Sequence, residues 1–196
     1  LDTLNPKTLE RLNAELIVVT GMPHSRVLEE IKKCDFVIDQ LYSSTPLAGF
    51  AAEAASHDRV PIVGGYGWEE IRWNVDAKDL PPAILCNPSD LINVVEKLCN
   101  DPSLREKQAH DMRDFLTNGA WSGEAFAKKL SRVLDDNTPD CWLVDPQTLR
   151  NKNGVGLSEE DSKNIIKKMV EIGGIDSLQI GDKPSLEGQI QTWIQS

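Results

Sequence analysis

Residues 34–65 read CDFVIDQLYSSTPLAGFAAEAASHDRVPIVGG, and the order of segments within them decides the fold. DFVIDQL and VPIVGG are short β-branched apolar runs, the pattern of strands buried on both faces. Between them, PLAGFAAEAASH is rich in small residues, which suits a helix packed closely on its support. Strand, helix, strand predicts a βαβ unit and therefore a parallel sheet. Glu53 is the only charge between Gly49 and His57. What that carboxylate does is the functional question the sequence poses.

Working outward, AELIVV at residues 14–19 ends at Thr20-Gly21 and reads as a strand. HSRVLEEIKKC follows, with Val27, Leu28 and Ile31 at helical spacing and Pro23 just ahead. Downstream, PAILCN at residues 82–87 reads as a fourth strand. SDLINVVEKLC reads as an amphipathic helix with Ser89 as N-cap. PSLREKQAHDMRDFL and GEAFAKKLSRVLDD add two more helices. The predicted fold class is α/β, with right-handed crossovers placing helices on both faces of the parallel sheet. Ligands of such sheets sit outside the carboxyl ends of the strands. Residues 20–24, 42–49 and 64–68 fall on that edge, and Glu53 belongs to the helix after the second.

The composition changes after Asp136. NTPDCWLVDPQTLRNKNGVGL, residues 137–157, carries turn residues and little periodicity. SEEDSKNIIKKMVEIGG then reads as a helix, with a Ser158–Asp161 capping box and a Gly173-Gly174 stop. SLEGQIQTWIQS reads as a short helix. The expected organisation is a ligand-binding domain over residues 1–136 and a mainly helical and irregular appendage over 137–196.

Hydrophobic residues at 40% and charged residues at 27% are those of a water-soluble globular chain. A net charge of −10 argues against nucleic acid as a partner, because phosphate neutralisation needs clustered Lys and Arg. No apolar run is long enough for a transmembrane segment. Cys34, Cys86, Cys99 and Cys141 form no CxxC pair, so no metal site is expected, and free thiols point to a reducing, cytoplasmic setting. Leu1 stands without Met or a signal-type segment, which reads as a cut end.

The run from residue 34 to 65 resembles the C-terminal, nucleotide-sugar-binding half of a GT-B glycosyltransferase of the glycosyltransferase family 4 type. The residues that carry the resemblance are Asp35, Asp39-Gln40-Leu41, Gly49, Glu53-Ala54-Ala55 and Pro61-Ile62-Val63. It extends outward through ELIVVTGMPHSRVLEEIKKCD and NPSDLINVVEKLCNDPSLREKQAHDMRDFL to cover about residues 8–135. It implies a Rossmann-like sheet and a nucleoside diphosphate sugar as substrate, with no cofactor and no metal. It also implies that Glu53 accepts hydrogen bonds from the ribose hydroxyls. Charged hydrogen bonds of that kind are the stronger ones. Gly49 and the small residues around Glu53 would let the helix N-terminus approach the diphosphate. Thr20 and Gly21 would border the base, and Thr45 and Pro46 would line the donor side.

The chain also departs from the family pattern. Thr45 stands where the family carries a second Glu that touches the donor sugar. HDRVP, with Asp58 and Arg59, replaces a turn in which Gly is common. The family's phosphate-binding Arg and Lys have no counterpart in the aligned region, which leaves Arg26, Arg59 and Arg72 as substitutes to consider. The resemblance further implies an acceptor-binding N-terminal half, or a partner chain, without which this chain is expected not to transfer sugar. Two alternatives stand beside the transferase: a non-catalytic nucleotide- or protein-binding module that kept the fold, and a related sugar-nucleotide epimerase. His24 and His57 read as surface or satisfied histidines, and Asp39 as a residue that caps or orients the next element. Gly64-Gly65-x-Gly67 reads as a structural turn, and Trp68 and Trp73 read as packing residues.

Overall fold

The computed structural model describes residues 4–71, 75–143, 145 and 158–196. They fall into two compact units, Leu1–Gly156 and Leu157–Ser196. The first holds a three-stranded parallel sheet in the order β1-β2-β3, with β1 at Phe36–Ile38, β2 at Val60–Gly64 and β3 at Ile84–Cys86. All five residues of the central strand β2 are buried. That is why its sequence is apolar without alternation: both faces are covered.

The two faces can be told apart by what each strand residue packs with. Val60, Ile62 and Cys86 join one cluster with Leu91, Val95 and Leu98 of helix α5, Leu91–Asn100. Leu9 and Leu12 of α1, Pro6–Leu12, pack on the same cluster. Val63 and Leu85 belong to the opposite side, with Ala51 and Ala55 of α3, Gly49–Ser56, and Met112 of α6, Pro102–Asn118. Val37 sits there too, against Ala54 and against Ile31 of α2, His24–Lys33. Ala51, Ala54 and Ala55 are fully buried. Small residues at these positions let α3 seat directly on the sheet, and a larger side chain would overpack it at a cost of about 1–3 kcal/mol.

The predicted strand at residues 14–19 does not form. Ile17 and Val18 are 45% and 62% exposed, and only Leu16 of the run reaches the core. β-branched composition reports fitness for a pleated, half-buried surface rather than a backbone preference. Among the described residues no strand lies alongside this run, so its apolar character has no ladder to act on. The other three predicted strands form but are shorter than their apolar runs.

Ser89 is not the N-cap of α5. It lies in a 3-10 turn, Pro88–Asp90, where its N–H and hydroxyl both donate to Asn87 Oδ1, at 3.0 and 2.7 Å. An Asn offers a carbonyl oxygen to two donors at once, and it took the capping role one turn earlier. Asp101 caps α6 by accepting from Leu104 N at 2.9 Å, and Ser122 caps α7, Gly123–Leu134, by accepting from Ala125 N at 3.2 Å. A four-residue helix, α4 at Trp68–Ile71, follows β2, and its first residue, Trp68, is packed in the core. Trp73 and Arg72 lie outside the described residues.

The second unit is two helices, α8 at Glu159–Gly173 and α9 at Pro184–Gln195, joined through a 3-10 turn at Ile175–Leu178. Half of the expected capping box is present: Ser158 Oγ accepts from Asp161 N at 3.0 Å, and the Asp161 carboxylate accepts from the Ser158 hydroxyl at 2.7 Å. The helix stops at Gly174, whose φ of +70° suits glycine. Trp193 Nε1 donates to Glu159 Oε1 at 2.9 Å, tying the end of α9 to the start of α8.

Candidate functional site

The carboxyl edge of the sheet is built from the loops after β1 and β2. Backbone pairing continues past the strands: Gly64 N donates to Gln40 O at 2.8 Å, and Ser43 N donates to Gly64 O at 3.0 Å. The two loops approach so closely that a Cβ on Gly64 would stand 2.4 Å from Leu41 O. Only glycine fits there, which accounts for the first glycine of the Gly64-Gly65 pair. The expected structural turn is completed by Gly67, with φ +70°.

Ser43 is buried and organises the next turn. Its hydroxyl donates to Thr45 O at 2.7 Å and accepts from Thr45 N at 3.2 Å. The Thr45 hydroxyl lies 3.4 Å from Leu47 O and 3.5 Å from Leu47 N, so it serves its own loop. Pro46 and Leu47 are buried, Leu47 in the cluster beneath α3. Gly49 opens α3, is exposed, and has open space where a side chain would stand. Ala48, in the N-cap position, supplies no side-chain cap.

Asp39 lies one residue past β1. Burial pushes its carboxyl above the usual range, and a hydrogen bond from Ala51 N–H pulls it back down. Its Oδ2 is buried without a partner. This carboxylate thus ties the end of β1 to the first turn of α3, in keeping with the capping or orienting role expected of it. It sits at the helix end where negative charge is favoured.

Glu53 is one turn further along α3. Its Oε1 is 2.8 Å from Nε2 of His24, the first residue of α2. The two side chains are 37% and 66% exposed, so the pair adds little to stability. It does orient Glu53 and leaves Oε2 for other donors. The pair also sets the start of α2 against α3, so that residues 20–24 lead into the corner that holds Glu53. Thr20 and Gly21 are exposed there, and Gly21 takes a φ of +64°. Sequence reasoning treated His24 as a lone histidine and missed this pairing. No local signal could have shown it, because the partners are 29 residues apart. His57, by contrast, is satisfied locally, its Nδ1 lying 2.9 Å from Glu53 O.

Of the cations considered as phosphate partners, Arg72 lies outside the described residues, and Arg26 and Arg59 have partners of their own. Arg26 pairs with Glu29 on its own helix at 2.6 Å. Arg59 stands before β2, at the amino edge, and donates to Lys32 O at 2.7 Å and Asp58 O at 3.1 Å. There it caps the last turn of α2, a common use of Arg near a helix C-terminus. A cleft of about 260 Å³ lies at this edge, lined by residues that include Arg59, Arg105, Asp35 and Asp58. Its charges are mostly paired: Arg105 Nη2 with Asp35 at 3.4 Å, and Asp58 with Arg113.

No protein-family model, curated protein or solved structure matches this chain. What the site can do therefore rests on its own geometry. Among the described residues no cluster of three His, Cys, Asp or Glu side chains could hold a metal ion, and no helix is long and apolar enough to cross a membrane. The four cysteines are free. Burial pushes the thiols of Cys34, Cys86 and Cys99 up, away from the reactive thiolate. The carboxyl edge instead offers one oriented, half-exposed carboxylate, a helix start left uncrowded at Gly49, and two tyrosines. These are groups that bind hydroxyls, anions and flat rings.

Proposed function

We propose that the first unit is the nucleotide-sugar-binding half of a GT-B-type glycosyltransferase, a Rossmann-like half in which Glu53 holds the ribose of the donor. The observation that carries the reading is the placement of Glu53. It stands on the helix that leaves the first strand of the parallel sheet, oriented by His24, beside a helix start whose third N–H, of Ala51, is taken by Asp39 and whose N-cap residue Ala48 adds no side-chain cap. Its free oxygen can accept a ribose hydroxyl, and the N–H groups of Gly49 and Phe50 suit a diphosphate. The acceptor would be carried by a second half or a partner chain.

A second reading, nucleotide binding without transfer, draws on Thr45. The family's sugar-side Glu is absent at that position, and the Thr45 hydroxyl is engaged with Leu47. The test is a thermal-shift panel of UDP, GDP, ADP and their sugars, followed by calorimetry on Glu53→Ala. The expected result is a stabilising nucleotide whose affinity falls about 10- to 100-fold in the variant, the value of a charged hydrogen bond. Wild-type affinity in a folded Glu53→Ala protein would remove Glu53 from the site. Turnover above background by this chain alone, with a donor sugar and generic acceptors, would overturn the assignment of the acceptor to a second half.

A further inference from the structure

The carboxyl edge carries a feature that neither the core nor the proposed ribose contact uses. Tyr42 and Tyr66 follow β1 and β2, and their rings lie 6.2 Å apart between centroids, at 39° to one another. Tyr42 is 61% exposed. Exposed aromatics are ordinary when isolated, but this pair is held in a rigid frame. Tyr42 stands between Leu41, whose carbonyl fills the space a Cβ on Gly64 would take, and Ser43, whose N–H is bonded to Gly64 O. Tyr66 follows Gly65, whose N–H donates to Cys86 O at 3.0 Å. The backbone on both sides is fixed before any ligand arrives, and preorganisation of that kind strengthens binding.

We propose that Tyr42 and Tyr66 form the surface against which the glycosyl ring of the donor lies, and that this surface sets sugar preference. This inference rests on the donor-binding reading above. An aromatic face offers apolar area to the C–H face of a sugar ring, and each tyrosine adds a hydroxyl at its rim for a sugar hydroxyl. With Glu53 on the ribose and residues 20–24 beside the base, the diphosphate and sugar extend past the start of α3, along the edge formed by the β1 and β2 loops. That is where the tyrosine pair stands.

The experiment compares wild type, Tyr42→Ala and Tyr42→Phe by calorimetry, using UDP, GDP and ADP and then UDP-glucose, GDP-mannose and ADP-glucose. Circular dichroism checks that each variant is folded. For the base that binds, Tyr42→Ala is expected to weaken the nucleotide sugar about tenfold, a stacking-sized effect. The free diphosphate is expected to stay within twofold, and Tyr42→Phe, which keeps the ring face and loses only the rim hydroxyl, to weaken the nucleotide sugar less than Tyr42→Ala does. Equal weakening of the diphosphate and its sugar would place the base on the tyrosines and overturn the assignment, as would no change in either. If wild type binds the diphosphate but Glu53→Ala binds it equally well, the ribose reading fails separately. If wild type binds none of the six compounds, both readings fall together.

Discussion

The two ends of the same three strands are finished differently. At the amino edge, charge is tied down. Asp58 pairs with Arg113, Arg105 with Asp35, and Arg59 spends its guanidinium on the backbone carbonyls of Lys32 and Asp58. At the carboxyl edge the backbone is equally well tied, but its side chains are not. Tyr42 is exposed, Glu53 shares only one oxygen, and Gly49 leaves open space. An edge whose polar groups are consumed by the fold holds the fold together. An edge with a rigid backbone and unspent side chains is equipped to hold something else.

The comparison breaks most severely at Gly64. Gly64→Ala forces a Cβ onto Leu41 O, a backbone atom that cannot swing away. We expect a loss of about 3 kcal/mol, the upper end of overpacking costs, read as a lower urea midpoint. An unchanged midpoint would mean that the two loops are not locked together. Next in size is Arg105→Ala at the opposite edge. The Arg105 side chain is 20% exposed and donates to Leu98 O and Cys99 O besides pairing with Asp35. Its loss should cost about 1.5–2 kcal/mol, as for hydrogen bonds from a charged group, with nucleotide affinity unchanged. A drop in affinity would move the site to the amino edge.

Asp39→Asn sharpens the contrast through pH. Burial holds the folded Asp39 carboxyl above its unfolded value, against the pull of Ala51 N–H. Between those two values the folded state binds more protons than the unfolded state, so wild-type stability falls as pH rises through the window. Below the unfolded value, about 3.9, both states are protonated and the penalty is absent. Asn does not titrate, so urea midpoints from pH 3.5 to 7 should move in the variant's favour as pH rises. A difference that is flat with pH would show that Asp39 is not the strained carboxyl. The smallest effect is expected at Asp58, whose φ of +56° is the left-handed conformation that glycine adopts freely. Asp58→Gly relieves that conformation but loses Arg113, and the two should cancel to within about 0.5 kcal/mol in urea unfolding.

Asp58 also illustrates how the sequence can mislead. HDRVP departs from the expected glycine turn, yet the backbone at Asp58 is left-handed all the same. Asp tolerates that region better than most residues, and its carboxylate gains Arg113. The βαβ core from residue 36 to 64 was legible because it is local: two doubly buried strands and a helix of small residues allow few arrangements. The strand expected at residues 14–19 was misread because pairing is not local; composition shows that a run could join a sheet, not that a neighbour is there. Glu53 stood out as a lone carboxylate among alanines, but its partner His24 belongs to another helix and carries no periodic signal. Ser89 was misplaced for a similar reason: a 3-10 turn capped by Asn87 precedes α5 and puts Asp90 at the N-cap position of the helix, and residue type alone does not show that turn.

Amide chemical-shift mapping of the 15N-labelled chain during titration with UDP, GDP, ADP and their sugars tests the central claim most directly. The account predicts that one of these ligands shifts the amides of Tyr42, Gly49, Phe50 and Glu53, while those of Asp35, Arg59 and Arg105 stay in place. Shifts centred on Asp35, Arg59 and Arg105, or none with any of the six ligands, would contradict it.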